Sequence, residues 1–278
     1  MPYYEPWLTT LEHVKQHRDL SAAETDDDAF IQTLIEEASA EFVQALDRLP
    51  VPYVGTHLFD VCMSDVLDVK DLLAITTLTN GNGAAIAGSA YVLESAGYDP
   101  KWRVRLKQGS GVRFTYSDSP EQAIAIDGVF GYVPHYLQNA FTSTGIDLHT
   151  DGISSSDITH TLDTNEGDRF EVGQYIRLEA EICLVVAHTS SQLTLERAQW
   201  GTVATAHDAG TIIETFNFLR DMRGAVREIV AYRFKKRNEI GSRVSVFQGG
   251  TVVVEELDPS VQKSIDRHRY GKFRIGVA

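Results

Sequence analysis

The chain has little sulfur, no long apolar run and none of the short signatures of metal or nucleotide chemistry. Its only cysteines are Cys62 and Cys183, too few for the disulfide framework of a small secreted scaffold. Both lie in apolar, strand-like runs, so buried thiols are expected. No stretch approaches the roughly 18 consecutive apolar residues that cross a bilayer. The opening MPYYEPWLTTLEHVKQ has neither the basic nor the apolar region of a signal peptide, so no membrane association is expected. HExxH, CxxC and Walker sequences are missing, and Gly81-x-Gly83 lacks the third glycine of a dinucleotide cradle. Ser89 and Ser110 match no nucleophile elbow. The nine histidines have no partners at ligand spacing. His207, in WGTVATAHDAG, is expected as a turn histidine satisfied by backbone groups. The run Asp163 to Asp168 lacks the acid, glycine and bidentate glutamate of a calcium loop and is expected as a polar turn. No catalytic residue, cofactor or metal site is expected, and the chain is not expected to be an enzyme.

With 43% hydrophobic and 23% charged residues, the 278-residue chain can bury a substantial core. Its net charge of −14 is uneven. Residues 1–50 carry 11 acids and 3 bases, residues 51–213 carry 20 and 9, and residues 214–278 carry 8 and 13. Only the last segment is basic. Duplex phosphates would be repelled over most of such a surface, which disfavours conventional nucleic-acid binding. The opposite signs of the two ends suggest contact between them, within a subunit or between neighbours.

Thr9 and Glu12 have capping-box spacing and predict a short helix over 10–18. A longer helix follows the acidic cap Thr25-Asp26-Asp27-Asp28. Its apolar positions Phe30, Ile31, Leu34, Ile35, Ala38, Phe42, Ala45, Leu46 and Leu49 recur at three- and four-residue intervals until Pro50 and Pro52 stop it. Between Val51 and Val133 the period becomes two. Asn80-Gly81-Asn82-Gly83 reads as a hairpin turn. WRVRLK predicts Trp102, Val104 and Leu106 inward; Val112, Phe114 and Tyr116 predict another strand, and Ile124 with Ile126 a third. Residues 134–150 read as a connector with a possible helical turn, and 151–213 as a small barrel or sandwich built on YIRL, EICLVV and QLTLER. A second long helix is predicted from about Glu214 to Arg237, with Leu219, Met222, Val226, Ile229 and Val230 on its apolar face. Beyond it lie an extended arm and a short helix starting at Asp258-Pro259.

The expected fold class is α+β. Residues 1–50 and 214–240 would form a small helical bundle from the two chain ends. Two mainly antiparallel β modules would be inserted, at 51–137 and, after a connector, within 138–213, leaving an arm at 241–278.

The segments DDAFIQTLIEEASAEFVQALDR, DMRGAVREIVAYRFKKRNEIG and LDPSVQKSIDRHRYGKF resemble the helical portions of bacteriophage head-tail connector (adaptor) proteins. DLLAITTLTNGNG with SPEQAIAIDGVFGYV, and the stretch from VGQYIRL to AHDAGTII, are similar to β modules common in phage virion proteins. In the latter, Gln199-Trp200-Gly201-Thr202 stands where an Arg-Gly and a Gly-Thr are more usual. The resemblance implies a ring of about twelve subunits between portal and tail in the virion, made in the host cytoplasm and conducting double-stranded DNA without binding it specifically. It also implies a portal protein and a tail-completion or stopper protein as partners.

On that footing, Val261, Ile265, Tyr270 and Phe273 are candidate portal-docking residues, because apolar groups in an arm without its own core need a partner surface. Asp26, Asp27, Asp28, Glu36 and Glu37 are candidate subunit contacts against Arg233, Lys235, Lys236 and Arg237. Two alternatives remain: a tail or baseplate module binding carbohydrate or a host surface through Trp102, Tyr116 or Tyr132, and a hydrolase.

Overall fold

In a computed structural model, residues 4–21, 23–94, 97–149, 152–237 and 259–269 are described. Most of the expected arm, including Tyr270 and Phe273, lies outside them.

The helical spacing near the start becomes α1 (Leu11–His17) and α2 (Asp28–Leu46). Thr10, not Thr9, caps α1, its side chain accepting from the backbone N–H of His13. Glu12 turns away from the cap and accepts from the backbone N–H of Val172 at 2.9 Å, which ties α1 to a distant loop. The α2 helix ends at Asp47 in the left-handed conformation.

The first sheet holds β1 (Tyr53–Phe59), β2 (Val66–Thr79), β3 (Tyr91–Glu94), β4 (Lys101–Leu106) and β5 (Ile124–Phe130). Its order is β1-β5-β2-β4-β3, and every pair is antiparallel. The long β2 serves two partners in turn, with register breaks where it passes from β4 to β5. Asp71 sits at that break with φ 52. The break explains one departure from simple alternation: Val104 and Leu106 are buried as expected, but Trp102 is exposed while Lys101 is buried. Asn80 to Gly83 does turn tightly, with the Gly83 N–H donating to the Asn80 carbonyl at 2.8 Å. No long returning strand follows, because β2 finds its neighbours in β4 and β5. Likewise Val112 to Tyr116 forms no ladder strand; Phe114 is buried and Tyr116 makes one isolated bridge to Gly81. Cys62 is exposed and Cys183 buried, and both are free thiols. The buried reading therefore fails for Cys62, which lies in a loop beyond the end of β1.

After the turn α3 (Tyr136–Asn139), the second sheet holds β6 (Phe141–Asp147), β7 (Thr159–Thr161), β8 (Tyr175–Leu178), β9 (Glu181–Thr189), β10 (Gln192–Glu196) and β11 (Ile212–Phe216). Its order is β6-β11-β8-β9-β10-β7. Two expectations change here. The connector contributes a strand, β6, and residues 212–216 belong to β11, so α4 (Arg220–Lys236) starts later than Glu214. The last element described is α5 (Pro259–His268).

Three apolar clusters organise these parts. Interior residues of the second sheet, among them Ile146, Leu162, Ile176, Cys183, Val185, Leu193 and Ile213, form one. A second joins the first sheet to Tyr175, Ile182, Leu184, Trp200 and Phe216, so the outer face of the second sheet packs on the first. Trp200 is the wedge, its ring 4.3 Å from Tyr175 and 5.1 Å from Phe216. The next residue has to be glycine, because Gly201 has φ 79 and a Cβ there would lie 2.5 Å from the Val54 carbonyl oxygen. The third cluster packs residues of α1, α2, α4 and α5 together: Leu11, Val14, Ile31, Ile35, Phe42, Val226, Ile229, Val230, Val261 and Ile265. Helix-sized segments from opposite ends of the chain thus share one apolar interior.

Candidate functional site

The acids of α2 and the bases of α4 meet inside the chain. Arg233 binds Glu41 closely and approaches Glu37 at 3.8 Å, while Arg237 reaches Asp27 at 2.7 Å. Arg237 also lies 4.1 Å over the Phe234 ring. Asp28 is taken by Lys15 of α1 at 2.8 Å. Asp26, Glu36 and Lys235 are exposed, and the Lys236 ammonium lies 4.6 Å over the Tyr232 ring. Asp27 and Glu37 thus meet Arg237 and Arg233 within the chain, whereas Asp28 takes Lys15, a base outside the expected set. Glu41, one helical turn beyond Glu37, belongs to the same set and was detectable by its i, i+4 spacing.

Two of the four candidate docking residues are already covered within the chain by the packing of α5. Val261 is 1% exposed and Ile265 8%, and both sit in the shared helical cluster. The helix lacks a core of its own, as its sequence implies, but it borrows one from α2 and α4 within the chain. Polar contacts fix its far end. His268 Nε2 lies 2.8 Å from Asp221 of α4, and His268 Nδ1 lies 3.0 Å from the Tyr132 hydroxyl. Burial pushes the Asp221 carboxyl up, but His268 and Arg267 outweigh it and hold the group below its usual range. Tyr132 is covered on one face by the Arg48 guanidinium, 3.6 Å from its ring centroid, and Arg48 pairs with Asp71. The chain Asp71, Arg48, Tyr132, His268, Asp221 thereby links the first sheet to the last two helices.

A second ionic set is buried under the second sheet. Glu181, at the start of β9, accepts from Arg197 Nε and Nη2 at 2.7 Å each. It also accepts from the backbone N–H groups of Ala198 and Thr205 at 3.2 and 3.0 Å and lies 2.9 Å from His207 Nε2. His207 Nδ1 lies 2.9 Å from Glu179. Burial would raise the Glu181 carboxyl, but Arg197, the two backbone donors and His207 together bring it down to about 2. Arg197 further donates to the carbonyls of Ser154, Asp157 and Thr205. This is a clamp that holds the loop carrying Trp200. His207 is satisfied, but its ring partners are the carboxylates of Glu179 and Glu181 and not the backbone groups expected, and it sits in a bridge to Ile153 and not in a turn. The signal available in sequence was the pair of acids Glu179 and Glu181, the second directly before the apolar run ICLVV.

Large apolar groups on the first module remain outside. Leu58 and Met63 line an open groove of about 320 Å³ with Phe59, Cys62, Val66 and Leu67. Trp102 is 41% exposed and Tyr116 51%. Arg103 occupies a face of the Trp102 ring at 4.2 Å, as Arg48 does for Tyr132, so the three aromatics weighed as a carbohydrate platform do not present three open faces.

No family model, curated protein or solved structure matches the chain.

Proposed function

We propose that this chain is a virion structural protein, a head-tail adaptor that forms a ring between portal and tail and a conduit for the genome. The observation carrying this reading is the joint apolar cluster of α1, α2, α4 and α5, with both antiparallel sheets falling in the intervening sequence. That arrangement agrees with a helical unit built from the chain ends, as the resemblance to head-tail connectors implies, with two β modules inserted as a departure from that family. Intrachain pairing of α2 with α4 makes the helical unit a rigid piece that a ring could repeat.

A closed ring needs two unlike faces per subunit. The first sheet ends in unlike strands, β3 at one side and β1, against which the Trp200 turn packs, at the other. The acidic net charge of −14 suits a passage through which duplex slides without adhering. Portal and tail-completion proteins are the partners this reading requires, at the head-tail interface of the virion.

Electron microscopy of the purified protein, alone and mixed with its portal, tests the reading. Rings stacked coaxially on portal are the expected result. A protein that never co-sediments with portal and forms no ring in virions would overturn it.

A further inference from the structure

The second sheet is an open ribbon in its strand order, yet its two edges come together. Strands β6 and β7 stand at opposite ends of the order, and among the described residues no ladder joins them. Side chains bridge them instead. Arg169, eight residues past β7 in the segment leading to β8, donates from Nη2 to the Thr144 carbonyl of β6 at 2.7 Å. His149, two residues past β6, places Nε2 3.1 Å from Glu166 Oε2 and 3.6 Å from Asp163 Oδ2, both on the segment that follows β7.

We propose that His149, Asp163 and Glu166 bind a divalent transition-metal ion, zinc by its ligand chemistry, which staples the two edges of the second sheet. One ligand atom from each residue lies within 4.8 Å of the other two. Two donors about 2.0–2.1 Å from a tetrahedral zinc ion are roughly 3.3 Å apart. The two separations from His149, 3.1 and 3.6 Å, bracket that value, and the Asp163 and Glu166 oxygens lie within 4.8 Å of each other. An imidazole with two carboxylates suits zinc, whereas calcium and magnesium prefer all-oxygen sets. Glu166 is pre-oriented, because its Oε2 already accepts from the Asp163 backbone N–H at 3.1 Å. A cavity of about 450 Å³, lined by His149, Asp157, His160 and Asp163, opens beside the cluster and leaves room for a water as fourth ligand.

The sequence expectation for Asp163 to Asp168 was a polar turn. The turn is there, but its acids face a histidine 14 residues earlier that no local motif could reveal. The site is independent of any ring, and its test is separate from the portal experiment.

Tag-free protein would be titrated with zinc chloride by isothermal calorimetry, and separately with cobalt, calcium and magnesium. One zinc per chain is expected, with the visible band of tetrahedral Co2+, a raised melting temperature, and no comparable effect of calcium or magnesium. His149→Ala and Glu166→Gln should each weaken zinc binding at least tenfold while leaving the circular dichroism spectrum intact. Absence of stoichiometric zinc binding, or unchanged affinity in both variants, overturns the proposal.

Discussion

Arginine–carboxylate pairs hold this molecule in two places that differ in their access to water. Under the second sheet, the side chains of Arg197 and Glu181 are 7% and 0% exposed. On the helices, Arg233 and its partners Glu37 and Glu41 stand at 29%, 58% and 60%. The chemistry is the same but the energetics are not. An exposed pair exchanges one well-solvated state for another, whereas a buried carboxylate that loses its donors is left charged in a poor solvent. The helices therefore owe their union to the apolar cluster, with the charges setting register. The loop over the second sheet owes its position to the ions themselves.

The sharpest way to break this contrast is Glu181→Ala, which removes the buried carboxylate of Arg197 and one of the two carboxylate partners of His207. We expect a loss of about 3–5 kcal/mol in urea denaturation; a loss similar to that of a surface pair would erase the distinction. Acid should find the same group. The Glu181 carboxyl lies at about 2 in the folded chain against an ordinary 4.5. Its contribution is thus complete above pH 4.5 and disappears as pH falls from 4.5 towards 2. Fluorescence of Trp200, in the clamped loop, should report that transition, and Glu181→Gln should flatten it.

Next in size is Ile265→Ala, which opens a gap at the margin of the helical cluster and should cost about 2 kcal/mol. Hydrogen exchange would show the loss confined to α5 and the helix faces beneath it. Unchanged exchange would mean that α5 is held by His268 and Asp221 alone. The smallest effect belongs to Arg233→Ala, expected below about 1 kcal/mol. Raising salt to 1 M, where the screening length is about 3 Å, should remove most of even that.

Much of the helical part was legible from periodicity. Of the nine apolar positions expected for α2, Ile31, Leu34, Ile35, Ala38, Phe42 and Leu46 are buried and Leu49 is buried beyond the helix end, whereas Phe30 is exposed and Ala45 only half-buried. Pro259 opens α5 as its sequence signal implies. The errors cluster where partners are distant in sequence. Ile212 to Phe216 pairs with β6 and β8, and pairing across some 70 residues overrides a local pattern that blends into the following helix. Trp102 faces outward because of a break in β2, some 30 residues earlier. Neither ionic cluster was visible in advance. Glu181, Arg197 and His207 are joined by tertiary folding, and so are His149, Asp163 and Glu166. The arm residues Val261 and Ile265 show the complementary lesson. Their demand for a covering surface was legible, but the identity of that surface was not.

The Trp200 turn has a mechanical consequence. Its ring continues through Phe216 to Phe218, the latter two 4.9 Å apart and perpendicular, and Phe218 leads directly into α4. Gly201 holds the same turn against the backbone of β1. Rings packed edge to face thus run from the turn between the two sheets to Phe218, just before α4, so a displacement of that turn would reach the helices through side chains already in contact.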